Sequence, residues 1–242
     1  MYYEYYGFSE PPFNITPDPR YLFFSEQHRE ALNQLLFGIQ ERKGFIQLTG
    51  EVGAGKTTTC RALFNELDRD RYLTALILNP RLSEAQLLRA IMTELQVPKI
   101  GRDRLRNYEK LNAFLLEKVA EHKDIVLVID EAQDMDSAQL EQVRLLSNLE
   151  TDNQKLIQIV LMGQPELRDI LDQPELRQLR QRITVRYHLG PLPLNDTRRY
   201  LEHRISIAGS RGVPYFEPRA IKHIHRYSGG IPRLINALAD KA

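Results

Sequence analysis

The sequence holds one cysteine, Cys60, and no tryptophan in 242 residues. A single thiol cannot close an internal disulfide, so the fold must rest on its core, and a reducing compartment is the natural setting. No apolar run approaches the roughly 18 to 20 residues needed to span a bilayer. The opening Met1-Tyr2-Tyr3-Glu4-Tyr5-Tyr6 lacks the basic start and apolar stretch of a secretory signal. A cytoplasmic setting without a membrane span is therefore expected. An excess of one charge is missing as well: 33 Lys plus Arg face 32 Asp plus Glu, leaving +1. That balance argues against a dedicated polyanion binder, although a local basic face can hide within it. The six histidines show neither H-E-x-x-H spacing nor pairing with cysteine, so no zinc site is read.

What is present is ample for folding. With 42% hydrophobic residues, the chain can bury a core in one large domain or two unequal ones. Residues 1–26 are rich in aromatics and carry Pro11, Pro12, Pro17 and Pro19, which predicts an extended leader ordered by packing and not helical. Ser25 is placed to cap a helix beginning near His28. Segments at Phe45–Thr49, Tyr72–Leu78, Ile125–Ile129, Leu156–Met162 and Ile183–Leu189 read as strands, with amphipathic helical segments between them. Strands alternating with helices predict an α/β fold with a parallel sheet. Beyond Pro191-Leu192-Pro193 only helical patterns remain. The expected domains are therefore the leader (1–26), an α/β core (27–192) and a small all-helical domain (193–242).

The chemistry is carried first by Gly50-Glu51-Val52-Gly53-Ala54-Gly55-Lys56-Thr57-Thr58, a full match to G-x-x-x-x-G-K-[ST] between a strand and a helix. The glycines let the backbone curl so that its N–H groups face phosphate oxygens, and the helix N-terminus adds its positive dipole end. Lys56 would reach the β- and γ-phosphates of ATP, and Thr57 would ligate magnesium. Second, the strand Ile125–Ile129 ends in Asp130-Glu131-Ala132-Gln133. Asp130 is placed to hold the metal, and Glu131 to orient and polarise the attacking water.

Three weaker features complete the set. Gln164, in Gly163-Gln164-Pro165-Glu166-Leu167 after an apolar strand, could stand between the acids and the γ-phosphate. Arg177, Arg180, Arg182 and Arg186 crowd a helix end and the following strand, where a guanidinium could reach a neighbouring copy's γ-phosphate. Ser228-Gly229-Gly230-Ile231-Pro232-Arg233 opens the last helix, with Pro232 suited to its first position and Arg233 held near a fixed point. Cys60, on the P-loop helix, is expected to be a small buried apolar residue.

Together these motifs resemble AAA+ ATPases, and specifically the general secretion pathway protein A family. Tyr5-Tyr6-Gly7-Phe8, Pro12-Phe13, Pro17-Asp18-Pro19-Arg20-Tyr21-Leu22-Phe23, Asp130-Glu131-Ala132-Gln133, Gly163-Gln164-Pro165-Glu166-Leu167 and Gly230-Ile231-Pro232-Arg233-Leu234-Ile235-Asn236 carry the resemblance over nearly the whole chain. It implies a P-loop three-layer sandwich with strand order 5-1-4-3-2 and a helical lid. It implies Glu131 as catalytic base, Gln164 as first sensor and Arg233 as second. The arginine finger falls on Arg180 or Arg182, and Tyr21 and Phe23 lie nearest the adenine. Self-association into a ring or filament and an inner-membrane partner in type II secretion or pilus biogenesis follow from the same resemblance.

Family members that act on the cell wall continue into a transmembrane helix and a peptidoglycan-binding region. Here the sequence stops at Ala242 in a helix whose stripe of Leu234, Ile235 and Leu238 looks unfinished, as expected of a truncated chain or isolated ATPase region. The alternative function is an ATP-dependent, DNA-binding target selector of the transposition type. It is motivated by the basic connector Lys99, Arg102, Arg104 and Arg106 and by the likeness of transposition ATPases to this family.

Overall fold

A run such as Ile125-Val126-Leu127-Val128-Ile129 has no polar face to turn to water, and every residue of it is buried. The structure, a computed structural model, describes residues 2–14, 19–149, 155–209 and 216–242. In chain order these form helices α1 (Tyr2–Tyr5) and α2 (Glu26–Gln40), strand β1 (Phe45–Gly50), α3 (Lys56–Glu66), β2 (Tyr72–Ile77), α4 (Glu84–Glu94) and α5 (Arg104–Ala120). There follow β3 (Asp124–Ile129), α6 (Ser137–Leu146), β4 (Ile157–Gly163), α7 (Glu166–Leu171), α8 (Arg177–Arg182) and β5 (Ile183–Leu189). Helices α9 (Leu194–Ile207), α10 (Pro218–Ser228) and α11 (Pro232–Ala239) close the chain. Two compact units emerge: one of residues 31–50 and 59–188, the other of residues 1–30, 51–58 and 189–242.

The first unit is built on a five-stranded sheet of order β2-β3-β4-β1-β5, the order expected. The pairings of β3 with β2 and β4, and of β1 with β4, are parallel, with Ile77 beside Ile129, Ile129 beside Leu161 and Leu48 beside Met162. Alternate residues serve opposite faces. Ile125, Leu127, Ile129, Ile159 and Leu161 join Leu87 and Ile91 of α4, Leu111 and Leu115 of α5, and Leu140 and Val143 of α6 in one buried cluster. Each such side chain contributes about 1.5–3 kcal/mol by leaving water. On the other face, α2 meets β1 through Gly38, where an added Cβ would stand 2.6 Å from Ile46 Cδ1. Helix starts follow local chemistry. Ser83 caps α4, and Gln86 returns the bond by accepting from the Ser83 N–H at 2.8 Å.

In the second unit the leader and the P-loop segment group with the C-terminal helices. Phe8, Phe13 and Tyr21 are buried with Leu192, Tyr200, Leu201, Ile221 and Ile235. Arg204 of α9 ties the leader down by donating to the carbonyl oxygens of Pro12 and Asn14, while its guanidinium lies 4.5 Å over the Tyr21 ring. The leader is also not wholly extended: Tyr2–Tyr5 make one helical turn and Pro19–Tyr21 a 3-10 turn. No proline lies in the first segment, and Pro19 opens the second, where its missing N–H is not needed. Pro17 and Asp18 lie outside the described residues.

Candidate functional site

The P-loop conformation follows from its glycines. Strand β1 ends at Gly50, and within the next five residues Gly53 (φ 80°) and Gly55 (φ 106°) enter the left-handed region closed to most side chains. Lys56, only 7% exposed, donates from Nζ to the Glu51 carbonyl oxygen at 3.2 Å, so the ammonium lies back across the loop. Thr57, on the first turn of α3, is exposed.

Two neighbours brace this loop. Arg233, one residue into α11, packs its stem on Gly53: a Cβ added there would stand 2.6 Å from Arg233 Cβ. His28 backs Gly55 and bonds the Ala54 carbonyl oxygen at 3.0 Å through Nε2, while its Nδ1 lies 2.7 Å from Ser25 Oγ. A carbonyl can only accept, so Nε2 carries the hydrogen and the neutral ring accepts the Ser25 hydroxyl at Nδ1. Burial pushes the His28 pKa down, against smaller opposing effects of the Ala54 bond and the Asp196 charge. His28 is absent from the sequence-predicted site; the clue available was its spacing of three from the cap Ser25. The cap itself forms, with the His28 N–H donating to Ser25 Oγ at 3.3 Å.

The acids occupy the carboxyl end of β3. Asp130 is 4% exposed, and its N–H donates to the Ile77 carbonyl oxygen at 2.8 Å, carrying the β2–β3 ladder one residue past the strand. Its Oδ1 accepts from the Glu131 N–H at 2.9 Å. Glu131 is left-handed (φ 51°, ψ 37°), a conformation that costs a non-glycine residue about 1–2 kcal/mol. Gln133 accounts for the arrangement: its Nε2 donates to Glu131 Oε2 at 2.9 Å and its Oε1 accepts from the Gln164 N–H at 2.9 Å. Gly163 leaves room for that amide, since a Cβ there would fall 2.7 Å from Gln133 Oε1. The link from Glu131 to the end of β4 thus runs through the backbone of Gln164 and the side chain of Gln133. Sequence reasoning quoted Gln133 within its motif and gave it no role.

Cys60 is buried on α3, and its thiol is pushed up to about 12, by burial first and by the Asp130 charge second. It is therefore an inert apolar residue, with α3 close enough to β3 for the carboxylate to be felt. Among the described residues no three His, Cys, Asp or Glu side chains converge to hold a metal by themselves. Magnesium held by one or two protein oxygens together with substrate phosphates needs no such cluster.

The arginines part company. Arg182 is half-buried and donates to Ser147 Oγ at 2.7 Å, whereas Arg180 is paired at 3.1 Å with Asp172, itself exposed. Arg186 donates to the Arg180 carbonyl oxygen at 2.8 Å, and Arg177 is exposed. Tyr21, 5% exposed, and half-buried Phe23 pack into the cluster of the C-terminal helices, Phe23 edge-on to Tyr200 at 5.8 Å between ring centres.

Comparison with known proteins agrees with this geometry. The model of the AAA domain family matches residues 39–171. General secretion pathway protein A of Aeromonas hydrophila is 50% identical over 243 residues, covering 100% of this chain and 44% of that protein, so the chain spans less than half of its relative. Among solved structures, the Aeropyrum pernix ORC2 protein in its ADPNP–ADP complexes superposes with a TM-score of 0.69 at 18% identity, over 96% of this chain and 64% of that one. Cdc6p from Pyrobaculum aerophilum gives 0.66 at 18% identity, over 93% and 62%. At these identities the two structures establish the fold alone. No helix among the described residues is long and apolar enough to cross a membrane. By its family match, its sheet order and its P-loop, the chain belongs to the AAA+ family of ATPases, and over its whole length it is similar to general secretion pathway protein A.

Proposed function

We propose that the chain hydrolyses magnesium-bound ATP as one protomer of a ring or filament, and that the cycle drives conformational work on a type II secretion or pilus apparatus through an inner-membrane partner. The observation that carries the chemistry is the left-handed Glu131, held by Gln133 at the carboxyl end of β3. Strain at a carboxylate, kept in place by a dedicated amide, is expected of a group positioned for reaction. The apparatus rests on the 50% identity to general secretion pathway protein A.

In this reading the backbone N–H groups of residues 51–58 bind the phosphates, and Lys56 holds the β- and γ-oxygens. Thr57 and Asp130 would hold magnesium, which when bound neutralises phosphate charge. Glu131 orients and polarises the attacking water, with Gln164 beside it as sensor of the γ-phosphate. Arg233, already against Gly53, registers whether nucleotide fills the loop. Tyr21 and Phe23 set the side on which the adenine lies. Arg180 or Arg182 of a neighbouring copy completes the site by offsetting charge in the transition state. The test is turnover per protomer against protein concentration. A rise with concentration, abolished in Glu131→Gln while ATP still binds, supports the proposal; a constant rate contradicts the shared site.

The DNA-binding reading keeps one supporting feature, the exposed Arg102 and Arg106. Its third arginine, Arg104, is paired with Glu84 at 2.6 Å. A salt-dependent mobility shift of DNA with ATP present would favour it, and no shift at low salt would end it.

A further inference from the structure

A second polar site lies within the sheet unit, in a cleft of about 320 Å³ between the β1–β5 side of the sheet and helices α7 and α8. Gln47 and Thr49, two residues apart on β1, face the same side. Gln47 is 4% exposed, and its Nε2 is buried without a hydrogen-bond partner. A buried donor of this kind needs an acceptor, and among the described residues none bonds it. Around it stand Arg168, Arg180 and Arg186. Arg168 donates from Nε to Thr49 Oγ1 at 3.2 Å, a hydroxyl that His188 Nδ1 also meets at 3.1 Å. That bond fixes the guanidinium at the mouth of the cleft.

The charge in the cleft is unbalanced. Asp172, the carboxylate in the lining, pairs with Arg180. Among the described residues neither Arg168 nor Arg186 has a carboxylate partner. Donors are therefore supplied by three elements, β1, α7 and β5. A carboxylate offers two oxygens in one plane, whereas a phosphoryl group offers acceptors on a tetrahedron and a larger charge. Leu171 is the one aliphatic side chain in the lining, which otherwise consists of polar, charged and ring-bearing residues. We propose that this cleft binds phosphate or a phosphoryl-bearing small molecule, at a site separate from the P-loop. Such a site would make Arg168 and Gln47 recognition residues.

Calorimetric titration of inorganic phosphate into protein saturated with magnesium and a non-hydrolysable ATP analogue tests this, because the γ-phosphate position at the P-loop is then filled. Wild type is expected to take up one equivalent. Arg168→Ala and Gln47→Leu are each expected to weaken uptake at least fivefold with analogue affinity unchanged. Arg168→Ala alters only an exposed side chain, so the test stands even if Gln47→Leu disturbs the strand. Replacing phosphate with AMP or pyrophosphate separates the sources: tighter uptake through the same residues identifies a nucleotide tail, and phosphate-only uptake identifies the free anion. No uptake by analogue-loaded wild type, or uptake equal in wild type and Arg168→Ala, overturns the proposal.

Discussion

Arg233 lies against Gly53 so closely that one methyl group added to the glycine would stand 2.6 Å from the Cβ of the arginine. The P-loop and the first turn of the last helix are thus fitted to each other at an atom that only glycine lacks. Gly53→Ala would meet both this contact and the left-handed φ of 80°, together costing about 2 kcal/mol or more. ATP affinity should fall at least tenfold, while the sheet unit keeps its circular dichroism. Affinity equal to wild type would show that loop and helix do not need this fit.

Gln133 joins Glu131 to the end of β4, so its loss should act on turnover before binding. Gln133→Leu removes the donor to Glu131 Oε2 and the acceptor for the Gln164 N–H. The expected result is a fall of kcat by about tenfold to a hundredfold, less than the roughly 10²–10⁴-fold that a positioned acid–base group itself contributes, with ATP affinity changed less than threefold. Steady-state kinetics paired with a binding titration separate the two effects. A loss confined to affinity would assign Gln133 to nucleotide binding instead.

His28 gives the P-loop a pH dependence. Burial lowers its pKa in the folded chain below the ordinary 6.5, so between the two values the unfolded chain binds more protons. Stability therefore rises with pH through that window, is fully present above about 6.5, and is lost as pH falls through the folded value. His203 is pushed the same way by burial and contributes with the same sign. The difference between wild type and His28→Gln isolates one ring: thermal unfolding from pH 7 to pH 5 should lose less stability in the variant. Parallel curves would remove His28 as the source.

The two finger candidates are separable by their cis contacts. Arg182 donates to Ser147 Oγ from a half-buried position, so Arg182→Ala should lower Tm, the lost bond contributing about 1 kcal/mol. Arg180 pairs with the exposed Asp172, a link that contributes about 0–1 kcal/mol, so Arg180→Ala should leave Tm nearly unchanged. Whichever variant loses the concentration-dependent part of turnover carries the finger. If neither does, a trans arginine from this region is wrong.

The parts legible in the sequence were those set by local pattern. Five segments gave five strands within a residue or two of their ends: runs such as Ile125–Ile129 because a strand covered on both faces admits few polar residues, and Ile183–Leu189 because its buried and exposed residues alternate. Ser25 was readable as a cap because the hydroxyl acts on its own next turn. What escaped depends on contacts between distant segments. Nothing near Pro12 announces that Arg204 will bond its carbonyl oxygen, nor does His28 reveal Ala54, 26 residues on. The role of Gln133 needed the end of β4, 31 residues away. The leader was read as extended because its prolines dominate the pattern, although the first turn, Tyr2–Tyr5, contains none.

The account stands on the curled loop and its lysine. Calorimetric titration of ATP with magnesium into wild type and into Lys56→Ala tests it most directly. Saturable binding by wild type, weakened at least a hundredfold in Lys56→Ala, is the predicted result. A silent wild-type titration, or equal binding by both proteins, would contradict it.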